Sequence, residues 1–160
     1  MSVATDTDID DKRAMPQRSK PTLARDVYLA IMRAHERLSG DSAALFKANG
    51  LSQPQFNVLR ILRGGPKDGL PCQMVGQRLV NRVPDVTRLL DRMEAAGLVS
   101  RSRCTEDRRV VRATLTAEGR RRVDALDDPI LEVHAAQTTG LKVSELETLE
   151  GLLERLAPPS

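Results

Sequence analysis

The chain has no tryptophan, one tyrosine and two phenylalanines, which argues against an aromatic-rich ligand cavity. Its two cysteines, Cys72 and Cys104, lie far apart and outside any CxxC pair. Neither a disulfide framework nor a thiolate zinc site is expected from them. Two histidines in separate segments and scattered acids supply no clustered metal ligands, so no metal is expected. No apolar run approaches the roughly 18 residues that a membrane span requires. The first 20 residues carry four aspartates and lack the apolar core of a secretory signal. The expectation is a cytoplasmic protein with no membrane partner. Catalytic signatures are missing as well: no Gly-rich phosphate loop, no HExxH, no GxSxG and no nucleophile–base pair. Neither an enzyme nor a cofactor is expected.

What remains is a 160-residue chain, 40% apolar and 29% charged, a globular balance that suits one ordinary domain with extra helices. Its net charge of +3 hides a strong polarity. Residues 1–20 are neutral overall, 21–81 carry +4, 82–122 carry +5, and 123–160 carry −6. A basic middle beside an acidic end favours a polyanion partner at one face, although basic segments also occur on plain solvated surfaces.

Residues 1–20 hold few large apolar groups and are expected to be a disordered tail. From Leu23 to about Ala48, apolar residues recur at helical spacing, and Asn49-Gly50 supplies a stop. Ser52 and Gln55 form a capping box, Pro54 falls in the first turn, and Leu51 with Phe56 make a hydrophobic staple for a helix ending at Gly64-Gly65-Pro66. The run PCQMVGQRLV suggests a brief helix buried through Val75 and Leu79. After a turn at 80–83, Pro84 is placed as the first residue of a helix and Gly97 just past its end. Val86, Leu89, Leu90 and Met93 form its apolar stripe, while Asp85, Arg88, Asp91 and Arg92 face outward. Two short helices with a tight turn outline a helix-turn-helix. Period-2 alternation over 98–103 and 110–115 then predicts an antiparallel hairpin, which completes a winged helix. Thr116 caps a fifth helix through Val123, Leu126, Ile130 and Val133, which Pro129 should kink or interrupt. A second capping box, Ser144 with Glu147, precedes a last helix carrying Leu146, Leu149, Leu152, Leu153 and Leu156.

The hairpin tip reads CTEDRRVVR, residues 104–112. One reading is a self-neutralised surface turn, and exposed ion pairs of that kind contribute only about 0–1 kcal/mol. The other is a tip where Asp107 sets the turn and aims Arg109 into a narrow, strongly negative DNA minor groove. Its position after a helix-turn-helix favours the second.

The run LLDRMEAAGLVSRSRCTEDRRVVRATLTAEG, residues 89–119, resembles the signature of the MarR family of winged-helix transcription regulators. The matching parts are Glu94, Gly97-Leu98-Val99, Asp107-Arg108-Arg109 and Leu115-Thr116-Ala117-Glu118-Gly119. The turn VNRVPD departs from the family pattern, with Val80 and Arg82 where a glycine and a small polar cap are common. The resemblance implies a mainly α fold with a small β-wing: a winged helix-turn-helix over 51–116, and helical dimerisation regions over 21–50 and 117–157. It implies a homodimeric, sequence-specific regulator of double-stranded DNA, usually a repressor, on a pseudo-palindromic operator with half-sites roughly 10 bp apart. By position, Pro84, Asp85, Thr87 and Arg88 would meet base edges or nearby phosphates, and Arg109 the minor groove. Gln73, Arg82, Arg103 and Arg108 would touch the DNA backbone. The last helix's leucines would serve dimerisation.

A small aromatic or phenolic effector is also implied, with Tyr28, Met32, His35, Phe56 and Arg60 as candidate lining. The plainer reading makes Met32 and Phe56 core and His35 a solvated side chain. An alternative switch is redox: Cys104 lies beside Arg103 and near Arg108, and Cys72 opens a helix whose dipole would favour a thiolate. A further alternative is a winged helix used as a protein-interaction module, its basic face meeting an acidic protein.

Overall fold

The computed structural model describes residues 18–79, 83–105 and 107–158. Among the described residues, seven helices and three short strands follow in the order α1 (Lys20–Ala48), α2 (Gln53–Arg63), β1 (Leu70–Pro71), α3 (Cys72–Arg78), α4 (Val86–Ala95), β2 (Val99–Arg103), β3 (Val111–Leu115), α5 (Ala117–Asp124), α6 (Asp127–Gln137) and α7 (Val143–Leu156). The mainly helical fold with a small β-wing is therefore as expected.

The chain divides into two compact units, with the boundary after Glu36. In the first, the Ser19 and Thr22 hydroxyls pair at 2.9 Å beside the start of α1, and Asp26 takes both Arg18 and Arg25. The expected tail ended at residue 20, but Lys20 already belongs to α1. Residues 1–17 of that expectation lie outside the described residues.

In the second unit the sequence signals act locally. Ser52 Oγ accepts from the Gln55 amide, and Gln55 Oε1 accepts from the Ser52 amide at 2.8 Å. Leu51 and Phe56 are both buried in the core, as a staple requires. Phe56 stacks on Phe46 with ring centroids 4.5 Å apart, so α2 packs against the end of α1. The same core takes Val75, Leu89, Leu90 and Met93 from the helix-turn-helix, Val99 and Ala113 from the wing, and Val123, Leu126 and Ile130 from α5, α6 and the joint between them. One apolar interior thus ties the wing's root to the helices that follow it.

The end of α4 shows how a helix is turned into a strand. Gly97 sits at φ 69°, its amide donates to the Glu94 carbonyl, and the Leu98 amide donates to the Met93 carbonyl. That pair of bonds is a Schellman motif with its apolar contact, since Leu98 and Met93 are both buried. β2 then pairs antiparallel with β3, from Val99 opposite Leu115 to Arg103 opposite Val111. Thr116 Oγ1 accepts from the Gly119 amide at 3.0 Å and donates to the Gly97 carbonyl at 2.7 Å. A Cβ on Gly119 would drive into the Leu98 carbonyl oxygen. The glycine is required because the first turn of α5 crosses directly over the start of β2.

Four expectations need correction. The sheet has a third strand, β1, paired antiparallel to β3, giving the order β1-β3-β2. Asp85, not a residue earlier in the turn, caps α4, so Pro84 stands just outside the helix instead of opening it. Val80 and Arg82 lie outside the described residues. The break between α5 and α6 falls at Ala125–Leu126, and Pro129 occupies the first turn of α6, where a missing N–H costs no helical bond. The last helix opens two residues before the expected Ser144 cap: the Glu145 carboxylate accepts from the Lys142 amide at 2.7 Å.

Candidate nucleic-acid interface

Three elements converge on the basic part of the chain. α3 brings Gln73, exposed near its start; the first turn of α4 brings Thr87 and Arg88; the wing brings Arg103, Arg108 and Arg109. A cleft of about 610 Å³ between them is lined by Gln73, Thr87 and Arg109. A neighbouring one of about 450 Å³ is lined by Gln73, Pro84, Asp85 and Thr87. Gln73, Pro84, Asp85, Thr87 and Arg109 thus border these two neighbouring clefts. Arg82 falls outside the described residues.

At the head of α4, Asp85 Oδ1 accepts from the Arg88 amide at 2.9 Å, which satisfies a donor the helix leaves open. Its other oxygen lies 3.1 Å from Arg88 Nε. Asp85 is thus a helix cap and a guide for the exposed Arg88, so its carboxylate is already engaged.

The wing tip repeats the device. Asp107 Oδ1 accepts from the Arg109 amide at 3.0 Å and lies 3.2 Å from Arg109 Nε. The Val110 amide donates to the Asp107 carbonyl, and the Cys104 amide to the Val110 carbonyl, closing the turn. The amide and guanidinium of Arg109 hold the Asp107 carboxyl below its ordinary range. The Arg109 side chain remains 92% exposed. The ion pair exists, and it leaves the Arg109 side chain exposed.

Sequence reasoning missed the ion pairs that support this face, among them those of Arg101, which also lines the larger cleft. Arg101 on β2 donates from Nε and Nη2 to Glu94 Oε2 at 3.0 and 2.8 Å, and its amide donates to Glu94 Oε1 at 2.8 Å. Nη2 also meets Asp91 Oδ1 at 2.6 Å. The guanidinium fork and the amide push the Glu94 carboxyl below its ordinary range. A seven-residue separation across a Gly97 turn was the available signal, since it brings a helix-end acid beside a strand arginine. Further back, Arg63 on α2 binds Asp127 through two nitrogens at 2.6 and 2.9 Å and Asp124 at 2.8 Å. Those contacts lower the Asp127 carboxyl and raise the arginine. Arg112 reaches from β3 to the Gly69 carbonyl and to Asp68.

The candidate effector residues are divided between the two units. Tyr28, Met32 and His35 are exposed on α1 in the first unit. In the second, Phe56 is a core side chain, and the Arg60 guanidinium lies over its ring at 5.9 Å from the centroid. Of the two redox candidates, Cys72 departs from the expected thiolate. Cys72 opens α3, yet burial pushes its thiol up, outweighing the field of Arg101 and the helix-end amide. Cys104 is half-buried where β2 enters the tip turn of the wing. Among the described residues no His, Cys, Asp and Glu side chains cluster as a metal site, and no helix is long and apolar enough to cross a membrane.

Known proteins carry this arrangement. The MarR family model matches residues 51–111, from just before α2 to the first residue of β3. An HTH-type transcriptional regulator of Bacillus subtilis, YkoM, is 31% identical over 82% of this chain and 84% of its own. A MarR transcription factor from Planctomyces limnophilus is 35% identical, with a TM-score of 0.65 over 81% of this chain and 94% of that one. Bordetella bronchiseptica BpsR, whose DNA binding is regulated by 6-hydroxynicotinic acid, is 26% identical, with a TM-score of 0.71 over 82% and 98%. On these grounds the chain belongs to the MarR family, and it is a DNA-binding transcriptional regulator built on a winged helix.

Proposed function

We propose that the protein acts as a homodimeric repressor, each subunit laying α4 in a major groove and reaching the adjacent minor groove with Arg109. A small aromatic or phenolic effector releases it. The observation that carries this reading is the wing tip, where Asp107 orders the turn while Arg109 stays almost fully exposed. A pre-ordered cation loses less entropy on entering a narrow groove, whose negative potential attracts it. On this reading Thr87 and Arg88 would meet base edges or nearby phosphates, and Gln73, Arg103 and Arg108 the DNA backbone.

Dimerisation is supported by apolar side chains left in solvent. α7 has no buried residue, and Leu149, Leu152, Leu153 and Leu156 are exposed along it. The first unit exposes Leu23, Val27 and Leu29. Apolar surface of this extent marks an association site. A two-fold dimer then reads a pseudo-palindrome with half-sites roughly 10 bp apart. The effector class is supported by BpsR, whose DNA binding responds to a hydroxylated aromatic acid. In the first unit Tyr28, Met32 and His35 are the candidate ligand contacts; in the second, taken by itself, the candidate is Arg60 over the Phe56 ring. A thiol pushed up by burial makes Cys72 a poor redox sensor, which favours ligand release over oxidation there. The protein acts in the cytoplasm and without catalysis.

A mobility shift on the DNA upstream of its own coding region tests the proposal. A retarded complex that weakens with aromatic acids and ignores peroxide and reductant is expected. Release by peroxide alone would move the switch to a cysteine, and no complex with any duplex would remove the reading.

A further inference from the structure

The wing and the recognition helix meet through one charged junction. Arg101 sits near the middle of β2, opposite Ala113 in the sheet, and only 22% of its side chain is exposed. It meets two carboxylates one helical turn apart on α4, Asp91 and Glu94, while Glu94 also accepts the Arg101 amide. Four polar contacts thus join one strand to one helix, and both acids of the helix's last two turns are spent on them. By contrast, among the described residues Arg88 and Arg109 each meet a single carboxylate, and more than four-fifths of each side chain is in solvent. The two kinds of arginine have different work. Resting on the two-groove reading above, we propose that Asp91, Glu94 and Arg101 form a positioning clamp. It fixes the angle between α4 and the wing so that Arg88 and Arg109 engage adjacent grooves together, and Arg101 is not itself a DNA contact.

The clamp is suited to that role by its chemistry. A guanidinium fork on a carboxylate holds direction as well as distance, which a lysine ammonium cannot do. Its partners sit at the end of α4 nearest the Gly97 turn, where β2 departs. A change of angle there moves the distant tip that carries Arg109, so a small loss of order at the junction becomes a misplacement at the groove.

The test uses the full-length protein and the duplex that the wild type selects from a random pool. Glu94→Gln removes a negative charge near DNA, so simple electrostatics predicts tighter binding. The clamp predicts the reverse: weaker binding by roughly tenfold, the scale of coupling between residues of one network. Arg101→Lys keeps the charge but loses the fork, and it should bind as weakly as Arg101→Met. In either Arg101 variant a further Arg109→Ala change should add less than about twofold, although it costs the wild type far more. All variants are compared well below their melting temperatures. An unchanged or tighter Glu94→Gln protein, a wild-type-like Arg101→Lys protein, or full additivity with Arg109→Ala would each overturn the clamp. If Arg101→Met does not fold, Glu94→Gln decides alone. A wild-type protein that selects no sequence overturns the functional reading itself, and the clamp with it.

Discussion

α4 and α7 carry similar apolar stripes and meet opposite fates. Leu89, Leu90 and Met93 of α4 vanish into the core, whereas Leu152 and Leu156 of α7 remain 53% and 65% exposed. The helices differ in what surrounds them, not in periodicity. α4 is enclosed by α3 and the wing within one unit, while α7 has no buried residue at all. A repeating apolar face therefore says that a helix wants cover; it does not say whether the same chain supplies it. On the proposed reading, the uncovered face is the one offered to a second copy.

Truncation sharpens this contrast most. Leu90→Ala should cost about 2–5 kcal/mol in urea unfolding, through lost burial and a residual cavity. Leu152→Ala should change the unfolding of dilute single chains by less than about 0.5 kcal/mol, while sedimentation equilibrium shows a weakened dimer. Equal losses at the two sites would erase the distinction. Next, Gly119→Ala should destabilise by about 1–3 kcal/mol or more, because the added methyl meets the Leu98 carbonyl. A melting temperature matching the wild type would show that α5 can slide off β2. Thr116→Ala removes the cap that joins α5 to the Gly97 turn and should cost about 0.5–2 kcal/mol.

Acid unfolding supplies the last comparison. Glu94 and Asp127 are both held below their ordinary carboxyl range by arginines. Groups depressed in the folded state contribute stability that is full above their unfolded values, about 4.3 and 3.9, and is lost as pH falls through the lower folded values. Stability should thus be flat from neutral pH to about 5 on their account and decline below 4, less steeply in Glu94→Gln. A decline of the same steepness in that variant would mean that Glu94 is not linked to folding.

Much of this was legible beforehand because the signals are local. Ser52 with Gln55, Gly97, Thr116 with Gly119, and the alternation from Val99 to Arg103 each act within a few residues, so spacing alone reveals them. β1 was not legible, since two residues show no period and Leu70-Pro71 becomes a strand only by lying beside β3. The early break before α6 was hidden because Pro129 is harmless in a first turn. Arg101 was hidden for another reason. An arginine alternating along a strand looks like a solvent-facing residue, and only the fold returns it to Glu94. At the wing tip the pairing of Asp107 with Arg109 was legible from their spacing, and the arginine is exposed.

The most direct measurement is an anisotropy titration of the full-length protein on its upstream duplex and on an unrelated duplex, over a series of salt concentrations. Reading DNA through α4 and the wing predicts preference for the upstream duplex by about a thousandfold or more, affinity that falls steeply with salt, and a large loss in Arg109→Ala. Equal affinity for both duplexes, or indifference to the loss of Arg109, would contradict it.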